Sequence, residues 1–287
     1  MLLSVVIVNY NVKNLLRKCL DSVLKASTSF DCEIWVVDNA SADQSINMIR
    51  DEFPTVQLIE NKKNVGFAKA NNQALNKVSG EYVLILNPDT VVSEHALLQC
   101  LDFARKTENC GGIGLKMVDG NGRFLEESKR GTPTPWASFC RFSHLSKLFP
   151  RSAFFNRYYM GQVDKDKCHK IEVLAGAFIL IKNEIVQKIG GLDETYFMFG
   201  EDIDFSLRIQ HAGYDNYYLG NVSILHHKGK STDKNSHQYI ERFYGAMKIF
   251  TKKYYPNSYP LFALIISLII VFKKAILKLR LLNMKHS

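Results

Sequence analysis

Polar side chains stand at the ends of three apolar runs in the N-terminal part of the chain. Asn9, Asp38 and Asp89 each follow such a run, at a point where the chain must turn. A hard dication such as Mg²⁺ or Mn²⁺ prefers oxygen ligands and also binds phosphate oxygens, so one carboxylate can hold it together with a diphosphate. Asp89 is the best candidate for such a ligand. Taken singly, these residues are also typical helix N-caps and turn residues.

A possible anion site lies at Asn64-Val65-Gly66, just before an apolar pattern of helical spacing. Glycine permits close approach of the backbone to a ligand, and a helix N-terminus favours a negative charge. The chain has no G-x-G-x-x-G after its first apolar run and no G-x-x-x-x-G-K-[ST] motif. A dinucleotide-dependent oxidoreductase or a P-loop kinase would therefore lack its defining loop.

The densest group of carboxylates lies at residues 201–204, where a helical pattern begins. Acidic residues in a first helical turn often serve only the helix dipole. Aromatic residues precede them at 197–199, and such apolar neighbours desolvate a carboxylate and raise its pKa toward the range of a general base. Further along, the pair His226 and His227 offers imidazole groups that can bind a metal ion.

The elements that carry these residues alternate between strands and helices over the first half of the chain. Strands are expected at residues 2–8, 33–37, 55–59 and 82–86. Helices are expected at residues 15–24, 41–53, 66–78 and 94–106. This alternation predicts an α/β fold with a mostly parallel central sheet flanked by helices. Because ligands of such sheets bind at the carboxyl ends of the strands, the strand ends should meet in one crevice.

The regular alternation of strands and helices ends after about residue 111. A hairpin turn is expected at residues 119–122, and residues 130–170 predict irregular or short helical structure. Further strands are expected at residues 173–181, 214–219 and 222–225, with a helix at 201–211.

Positive charge is concentrated at the C-terminus. The chain carries a net charge of +9; nine Lys or Arg residues and one Glu lie at 241–287, which leaves residues 1–240 near +1. A basic face spread over the main domain is therefore not expected, and nucleic acid is not an expected partner.

The C-terminal segment predicts a helix at a membrane surface. Residues 261–272 are apolar except for Ser267. As a helix they would cover about 18 Å against a hydrocarbon core of about 30 Å, so this run is too short to span alone. Lys and Arg then interleave with Ile and Leu, the pattern of a basic amphipathic helix on an anionic leaflet. A helix packed on the protein or in a dimer is the alternative.

Cysteine spacing and the N-terminus indicate the compartment. The six cysteines show no C-x-x-C spacing, as expected for reduced thiols, and no basic region precedes the first apolar run. The sequence therefore predicts a cytoplasmic protein, peripherally associated with the inner face of the cell membrane.

The order of these motifs resembles glycosyltransferase family 2, and most closely the rhamnosyltransferase-like branch that builds bacterial surface polysaccharides. The matching stretches lie at residues 5–11, 36–41, 64–72, 86–90, 176–178, 193–208 and 226–231. Each is modest alone, but the ordered set is specific. The resemblance implies a GT-A fold, with the donor bound by residues 1–110, the acceptor-binding and catalytic half at 111–235, and a helical, amphipathic, membrane-associating tail at 236–287.

The resemblance also implies how the donor is held. The donor-binding residues would be Asn9, Tyr10, Asp38, Asn39, Ser41, Asn64, Gly66, Asn72 and Asn87. Asp89 and His226 would hold a Mg²⁺ or Mn²⁺ ion at the donor diphosphate, with His227 a lesser candidate. Asn87 stands where the family's D-x-D motif has its first Asp, which leaves fewer charged ligands for the metal.

The implied activity is inverting transfer of rhamnose or a similar hexose from a dTDP- or UDP-sugar to a saccharide or lipid-linked saccharide. Asp202 would be the general base, and the acceptor side would be formed by Gly176, Ala177 and Glu201. A sugar nucleotidyltransferase would share the sheet and the metal chemistry, but it usually has a Gly-rich, basic loop after its first strand. A non-catalytic membrane scaffold on the same fold would have no need of Asp89 and Asp202.

Overall fold

The computed structural model describes residues 1–227 and 236–283. The strands are β1 (Leu3–Asn9), β2 (Cys32–Asp38), β3 (Gln57–Glu60), β4 (Tyr82–Leu86), β5 (Thr90–Val92), β6 (Cys110–Val118), β7 (Cys168–Ile171), β8 (Phe178–Lys182) and β9 (Asp215–His226). The helices are α1 (Lys13–Ala26), α2 (Ser45–Glu52), α3 (Phe67–Leu75), α4 (Ala96–Lys106), α5 (Pro135–Phe142), α6 (Leu145–Leu148), α7 (Asn183–Ile189), α8 (Glu201–His211), α9 (His237–Tyr254) and α10 (Tyr259–Asn283).

The strands of the described residues form one mixed sheet in the order β3-β2-β1-β4-β8-β6-β9-β5, with β7 paired to β9. The first four strands in this order are parallel, as their alternation with helices predicts. Strands β1 and β4 are buried along their whole length, because α1, α2 and α4 cover one face and α3, α7 and α8 the other. The predicted α/β class, with a central sheet flanked by helices, is confirmed.

The parallel arrangement ends at β4. Strand β8 runs antiparallel to both β4 and β6, and β5 and β7 run antiparallel to β9. No helix separates β4 from β5, since residues 87–89 alone join these two strands. This short connection carries the chain across to the far edge of the sheet, where β5 pairs with β9.

Strand β9 departs from the local sequence pattern, whereas the segment 130–170 forms short helices as expected, together with a short strand. Strand β9 is one element of 12 residues instead of two short strands. It pairs in parallel with β6, and a register shift between Leu115 and Lys116 lets residues 220–222 bulge out of the ladder. In the segment 130–170 the chain forms α5, α6 and β7; Thr134 caps α5 by accepting a hydrogen bond from the amide of Ala137.

Helices α9 and α10 form an antiparallel hairpin at the end of the chain. Phe250 of α9 packs against Tyr196, beside α8, and this contact fastens the hairpin to the sheet domain. Helix α10 packs on α9 through Ile266, which lies in a cluster with Ile240 and Tyr244. One face of α10 is therefore buried by the hairpin.

The opposite face of α10 is apolar and exposed. Its exposed side chains are Leu261, Leu264, Ile265, Leu268, Val271 and Phe272. The 20 residues Pro256–Ala275 have a mean hydropathy of 1.7 and are long and apolar enough to cross a membrane; only 6% of them are buried. The helix continues past residues 261–272 at both ends, so the apolar segment is longer than that run, and by length and composition it could also cross a membrane. The predicted amphipathic face depends on the side chains of residues 278–283 and on residues 284–287, which lie outside the described part of the chain.

Candidate active site

The ends of β1 and β2 are tied together by a buried hydrogen-bond network. The Asn9 amide group donates to Asp38 Oδ2 (2.8 Å) and to Ser41 Oγ (3.1 Å), and the Ser41 backbone N–H donates to Asp38 Oδ1 (2.8 Å). The parallel register places Asn9 directly beside Asp38. These three residues meet as the sequence predicts, and both oxygens of Asp38 are engaged within the network.

Gly66 links this strand end to a loop from the second half of the chain. Its carbonyl accepts a hydrogen bond from Asn39 Nδ2 (3.2 Å), and its amide donates to Asn64 Oδ1 (3.0 Å). Gly66 has φ +93°, and a Cβ there would lie 2.6 Å from the Phe197 carbonyl oxygen. That oxygen also accepts from the Phe67 amide (2.7 Å), the first of α3. The close approach expected at Gly66 is thus made by the protein's own 197–199 loop.

A cleft of about 320 Å³ opens at these strand ends. The predicted donor residues Tyr10, Asn39, Asn64, Gly66 and Asn87 line it, together with Asp89. Asn9, Asp38 and Ser41 belong to the supporting network rather than to the lining. The facing wall comes from Phe197 and from α9, which contributes Tyr239 and Arg242. The Arg242 guanidinium lies 4.2 Å from the centroid of the Phe197 ring.

Asn72 does not line this cleft. Its Oδ1 accepts from the Leu192 amide (2.8 Å), and its Nδ2 donates to the Leu192 carbonyl (2.8 Å) and to Glu194 Oε1 (3.0 Å). Both ends of the amide are therefore occupied by the loop that follows α7. The donor-binding role predicted for Asn72 rested on its place in a motif, and the side chain instead fastens α3 to that loop.

Asp89 and His226 are brought together by the pairing of β5 with β9. Thr90 lies opposite His226 in the antiparallel ladder, and the His227 amide donates to the Asp89 carbonyl (2.9 Å). His226 Nε2 lies 3.3 Å from Asp89 Oδ1, and both side chains are buried. The two residues predicted as metal ligands are thus adjacent. Residues 228–231 of the same motif lie outside the described residues.

The Asp89–His226 pair has the character of an incomplete cation site. Despite their contact, neither Asp89 Oδ1 nor His226 Nδ1 has a hydrogen-bond partner among the residues that the structure describes. Buried polar atoms without partners are costly, and a bound cation would satisfy such a carboxylate oxygen. Within residues 1–227 and 236–283, no group of three or more His, Cys, Asp or Glu could hold an ion by itself. An ion held by Asp89 and His226 would need further ligands, and phosphate oxygens of a bound donor are suited to that role.

A second cleft, of about 310 Å³, adjoins the first. The predicted acceptor-side residues Gly176, Ala177 and Glu201 line it, together with Asp202 and His226. The two clefts share the wall formed by Phe67, Asn87, Met198 and Phe199. A ligand in the first cleft would therefore reach the contents of the second across this common wall.

Asp202 is held by hydrogen bonds from three directions. Its Oδ2 accepts from Arg130 Nη2 (2.5 Å) and from the Gly176 amide (3.2 Å), and its Oδ1 accepts from the Ile203 amide (2.8 Å). Asp202 and Arg130 are both largely buried, with side chains 15% and 10% exposed. Burial by itself lowers the pKa of Arg130, but the opposing charge of Asp202 and contacts with Tyr158 raise it above its usual value. The result is a fixed carboxylate facing the second cleft.

Glu201 has the perturbed carboxyl group of the cluster. Burial, followed by the nearby charge of Asp202, raises the pKa of Glu201 to about 8. Its Oε2 is buried without a hydrogen-bond partner in the described part of the chain. The sequence predicted that desolvation would raise the pKa of a carboxyl group here, and it does so at Glu201, which is protonated at neutral pH.

The cleft residues that were not anticipated from the sequence include Arg130, Arg141, Tyr239 and Arg242. Arg130 lies in the segment expected to be irregular, and its partner Asp202 is far away in the chain. Tyr239 and Arg242 belong to α9, which the sequence assigned to the tail. The one available signal was the pairing of an aromatic residue with a basic one on the same face of α9.

The sheet order and the two adjoining clefts are those of the GT-A fold class. A mannosyltransferase from Pyrobaculum calidifontis, solved in complex with GDP-Man and Mn²⁺, matches 91% of this chain and 68% of its own, with a TM-score of 0.60 and 18% identity. TarS 1–349 from S. aureus, in complex with UDP, matches 87% of this chain with a TM-score of 0.58 and 18% identity, and this chain spans 64% of its length. At these identities the likeness shows the fold alone.

The family model described as glycosyl transferase family 2 matches residues 4–190, and the chain belongs to that family. The N-acetylglucosaminyl-diphospho-decaprenol L-rhamnosyltransferase of Mycobacterium tuberculosis is 26% identical over 259 residues, covering 86% of this chain and 83% of the relative. A low-salt glycan biosynthesis hexosyltransferase of Haloferax volcanii is 24% identical over 278 residues, covering 92% and 82%. The resemblance drawn from the motifs is confirmed, and the chain is a glycosyltransferase.

Proposed function

We propose that this protein is an inverting, metal-dependent hexosyltransferase that extends a lipid-linked saccharide at the inner face of the cell membrane. The donor is a nucleotide-diphosphate sugar, with dTDP-rhamnose the first candidate and UDP-hexoses the next. The product is an intermediate of a cell-surface polysaccharide.

The observation that carries this proposal is the shared wall of the two clefts. Asp89 and His226 stand at the first cleft and its junction with the second, and Asp202 stands in the second. A donor sugar at the common wall would present its anomeric carbon to an acceptor hydroxyl held at Asp202. Direct transfer requires that donor and acceptor bind in separate places with the reacting centre between them, and the two clefts offer this arrangement.

The chemistry follows from the position of Asp202. The acceptor oxygen attacks the anomeric carbon on the side opposite the departing nucleotide diphosphate, and Asp202 takes the hydroxyl proton. The new C–O bond forms as the bond to the diphosphate oxygen breaks, so a single displacement inverts the configuration. Arg130, Gly176 and Ile203 hold the carboxylate in place during this step.

Asp89 and His226 are the residues that would hold a divalent ion at the donor diphosphate. When bound, such an ion neutralises charge that develops on the leaving group. Asp89 Oδ1 and His226 Nδ1 have no hydrogen-bond partner within residues 1–227 and 236–283, which supports this assignment. Arg242, on the facing wall of the donor cleft, supplies a further positive charge for the diphosphate.

The lipid-linked acceptor is supported by a relative and by α10. The name of the mycobacterial relative describes an acceptor in which N-acetylglucosamine is joined to decaprenol by a diphosphate. The exposed apolar face of α10 fits a membrane, either lying in the interface or crossing it. We therefore assign α10 to membrane association and α9 to the catalytic domain, whose cleft wall it forms.

The family match favours sugar transfer over nucleotidyl transfer. The scaffold alternative makes no use of the shared-wall geometry, and it predicts that neither cleft binds a nucleotide.

Thermal unfolding with a panel of nucleotides tests the proposal. Because a ligand that binds the native state raises the melting temperature, dTDP or UDP should stabilise the protein in the presence of Mg²⁺ or Mn²⁺. Asp89→Ala should abolish the metal-dependent part of this shift. The active donor is then incubated with N-acetylglucosamine-diphospho-polyprenol, and the anomeric configuration of the product is read by NMR. A well-folded protein that responds to no nucleotide would support the scaffold instead, and retained configuration would refute single displacement.

A further inference from the structure

An exposed aromatic patch surrounds α5 and the residues that follow it. Its members are Trp136, Phe139, Phe142, Phe149 and Phe154, each between 38% and 61% exposed. Trp136 packs on Phe139 and on Phe154 with ring centroids 5.6 Å and 4.8 Å apart, so these three rings form one contiguous surface. Contiguous apolar surface of this kind marks a contact site, and Trp favours the membrane–water interface.

The aromatic patch and α10 meet along one groove. This groove has a volume of about 250 Å³ and lies between α5 on one side and α9 and α10 on the other. Phe139 and Phe142 line it from α5, and Phe262 and Ile266 line it from α10. The patch and the membrane-type helix therefore belong to the same side of the molecule, with the groove between them.

The groove adjoins the catalytic cleft through a smaller cavity. This cavity of about 110 Å³ shares Ser138, Phe142 and Met247 with the groove. It shares Ile203 and Phe243 with the cleft that contains Asp202. The three spaces therefore lie in a row from Asp202 to the exposed face of α10, and along this path the lining becomes more apolar.

Arg141 stands where the polar cleft gives way to this apolar path. It lines both the cleft and the small cavity, and its guanidinium lies 4.6 Å from the ring centroid of Tyr158 and 5.4 Å from that of Tyr159. No carboxylate pairs with Arg141 within residues 1–227 and 236–283. An arginine in this position is complementary to a diphosphate placed between a sugar and an apolar chain.

We propose that this path is the binding site for the acceptor's isoprenoid chain, with Arg141 on the diphosphate that joins the chain to the sugar. The inference rests on the proposed function and adds the site of the lipid. The order of groups along the path, from Asp202 to Arg141 to the apolar groove, matches the order of sugar, diphosphate and chain in such an acceptor. A second copy of the protein, or bulk lipid, bound on the same surface would make no use of the path that leads from the groove to Asp202.

Binding of geranylgeranyl diphosphate to the full chain in detergent tests the site without transfer activity. Ser138→Trp fills the small cavity, and Ser138→Phe obstructs it less; the matched control is Ser143→Trp at the exposed end of the same helix. We expect Ser138→Trp to weaken binding of geranylgeranyl diphosphate by at least about tenfold, Ser138→Phe to weaken it less, and the control to leave it unchanged. The thermal shift with nucleotide and metal serves as the folding control and should persist in all three.

Arg141→Met separates the diphosphate from the chain. It should weaken binding of geranylgeranyl diphosphate by about tenfold or more while leaving binding of geranylgeraniol, which lacks the diphosphate, unchanged. Equal binding of both ligands by wild type, Ser138→Trp and Arg141→Met would show adsorption to the apolar surface and overturn the inference. If isoprenoid binding follows the expected pattern and no nucleotide binds, the proposed function fails and the lipid site stands. If nucleotides bind and the isoprenoid does not, only the lipid site fails.

Discussion

Arg130 joins Asp202 to the main chain, because its Nη2 atom donates to Asp202 Oδ2 and to the Leu174 carbonyl, both at 2.5 Å. The guanidinium therefore fixes the carboxylate relative to the segment that leads into β8. Under the proposed function Arg130 is a positioning residue, since it would act on the acceptor through Asp202.

Replacement of Arg130 should damage both stability and turnover. Arg130→Met leaves the buried carboxylate without its charge partner, and breaking such a pair costs about 3–5 kcal/mol. We expect kcat to fall by about 10²-fold with little change in donor KM, because the base loses its orientation. Urea unfolding and steady-state kinetics measure the two effects, and Arg130→Lys should recover part of the activity.

A surface ion pair provides the matched control for Arg130. Arg50 and Glu60 lie 2.6 Å apart with side chains 59% and 40% exposed. Arg50→Met should therefore cost less than about 1 kcal/mol and leave kcat unchanged. Equal effects of the two substitutions would contradict the positioning role.

Substitution of Gly66 should displace the loop between the two clefts. The Cβ of Gly66→Ala would meet the Phe197 carbonyl oxygen at 2.6 Å, in a backbone conformation of φ +93°. Gly213 has φ +92° with nothing within 4 Å, so Gly213→Ala carries the same backbone strain without the clash. We expect Gly213→Ala to cost about 1 kcal/mol and Gly66→Ala clearly more, together with weaker nucleotide binding. Similar unfolding free energies and nucleotide affinities would show that the 197–199 loop adapts freely.

The raised pKa of Glu201 predicts a pH-dependent stability. Its pKa is about 8 in the folded chain against an ordinary value of 4.5, so the folded state retains the proton over that interval while the unfolded state loses it. The contribution of Glu201 to stability is therefore complete below about pH 4.5 and is lost as the pH rises through about 8. Glu201→Gln cannot ionise, so it should gain stability over wild type by up to about 5 kcal/mol at the alkaline end.

Urea unfolding from pH 5 to pH 9 measures this difference. The exposed Glu94 supplies the control, and Glu94→Gln should follow the wild-type curve throughout. A constant offset between Glu201→Gln and wild type over the whole range would mean that Glu201 titrates normally.

The adjacent histidines of β9 and the following residue offer a paired test of the metal site. His226→Ala removes the imidazole beside Asp89 and should reduce the Mn²⁺-dependent stabilisation by nucleotide. His227 contacts Asp89 through its backbone amide, which His227→Ala retains, so that variant should behave as wild type. Thermal shifts with and without EDTA separate metal-dependent from metal-independent binding. If only His227→Ala lost the shift, His227 instead of His226 would be the metal ligand.

Charges on the exposed face of α10 should release the protein from membranes. Leu264 and Leu268 are 59% and 61% exposed, so the double substitution to Glu perturbs no core contact. We expect flotation with anionic phosphatidylglycerol vesicles to be lost while nucleotide binding persists. Leu98→Glu, at a leucine 39% exposed on α4, should leave flotation unchanged. Unaltered flotation of the double variant would indicate that another surface binds the lipid.

The part of the site formed by the parallel strand ends was predictable, because residues that are neighbours in the sequence specify both a strand and the place where it ends. Apolar runs that end in polar residues specify both the strand and its functional end, so the convergence of Asn9, Asp38 and Asn87 could be anticipated from the alternation alone. The fastening of Asn72 to the Leu192 loop could not, because an amide in a motif gives no indication of its hydrogen-bond partners.

The other half of the site depends on long-range pairing that no local pattern encodes. Asp89 meets His226 only because β5 crosses to the edge of the sheet and pairs with β9. Arg130 meets Asp202 only after the segment before β7 has folded back over α8. The apolar run 261–272 gave no indication of a possible span, because counting uninterrupted apolar residues leaves out the helix on either side of them.

Sugar transfer by Asp202→Asn is the most direct measurement of the central claim. The variant retains the shape of the side chain and removes its capacity to take a proton, so transfer to the lipid-linked acceptor should fall by about 10²–10⁴-fold. Its thermal shift with nucleotide and metal should equal that of wild type, and the exposed Asp51→Asn should be fully active. Transfer by Asp202→Asn at the wild-type rate, in a preparation that binds nucleotide normally, would contradict the account and assign the base to another residue of the second cleft.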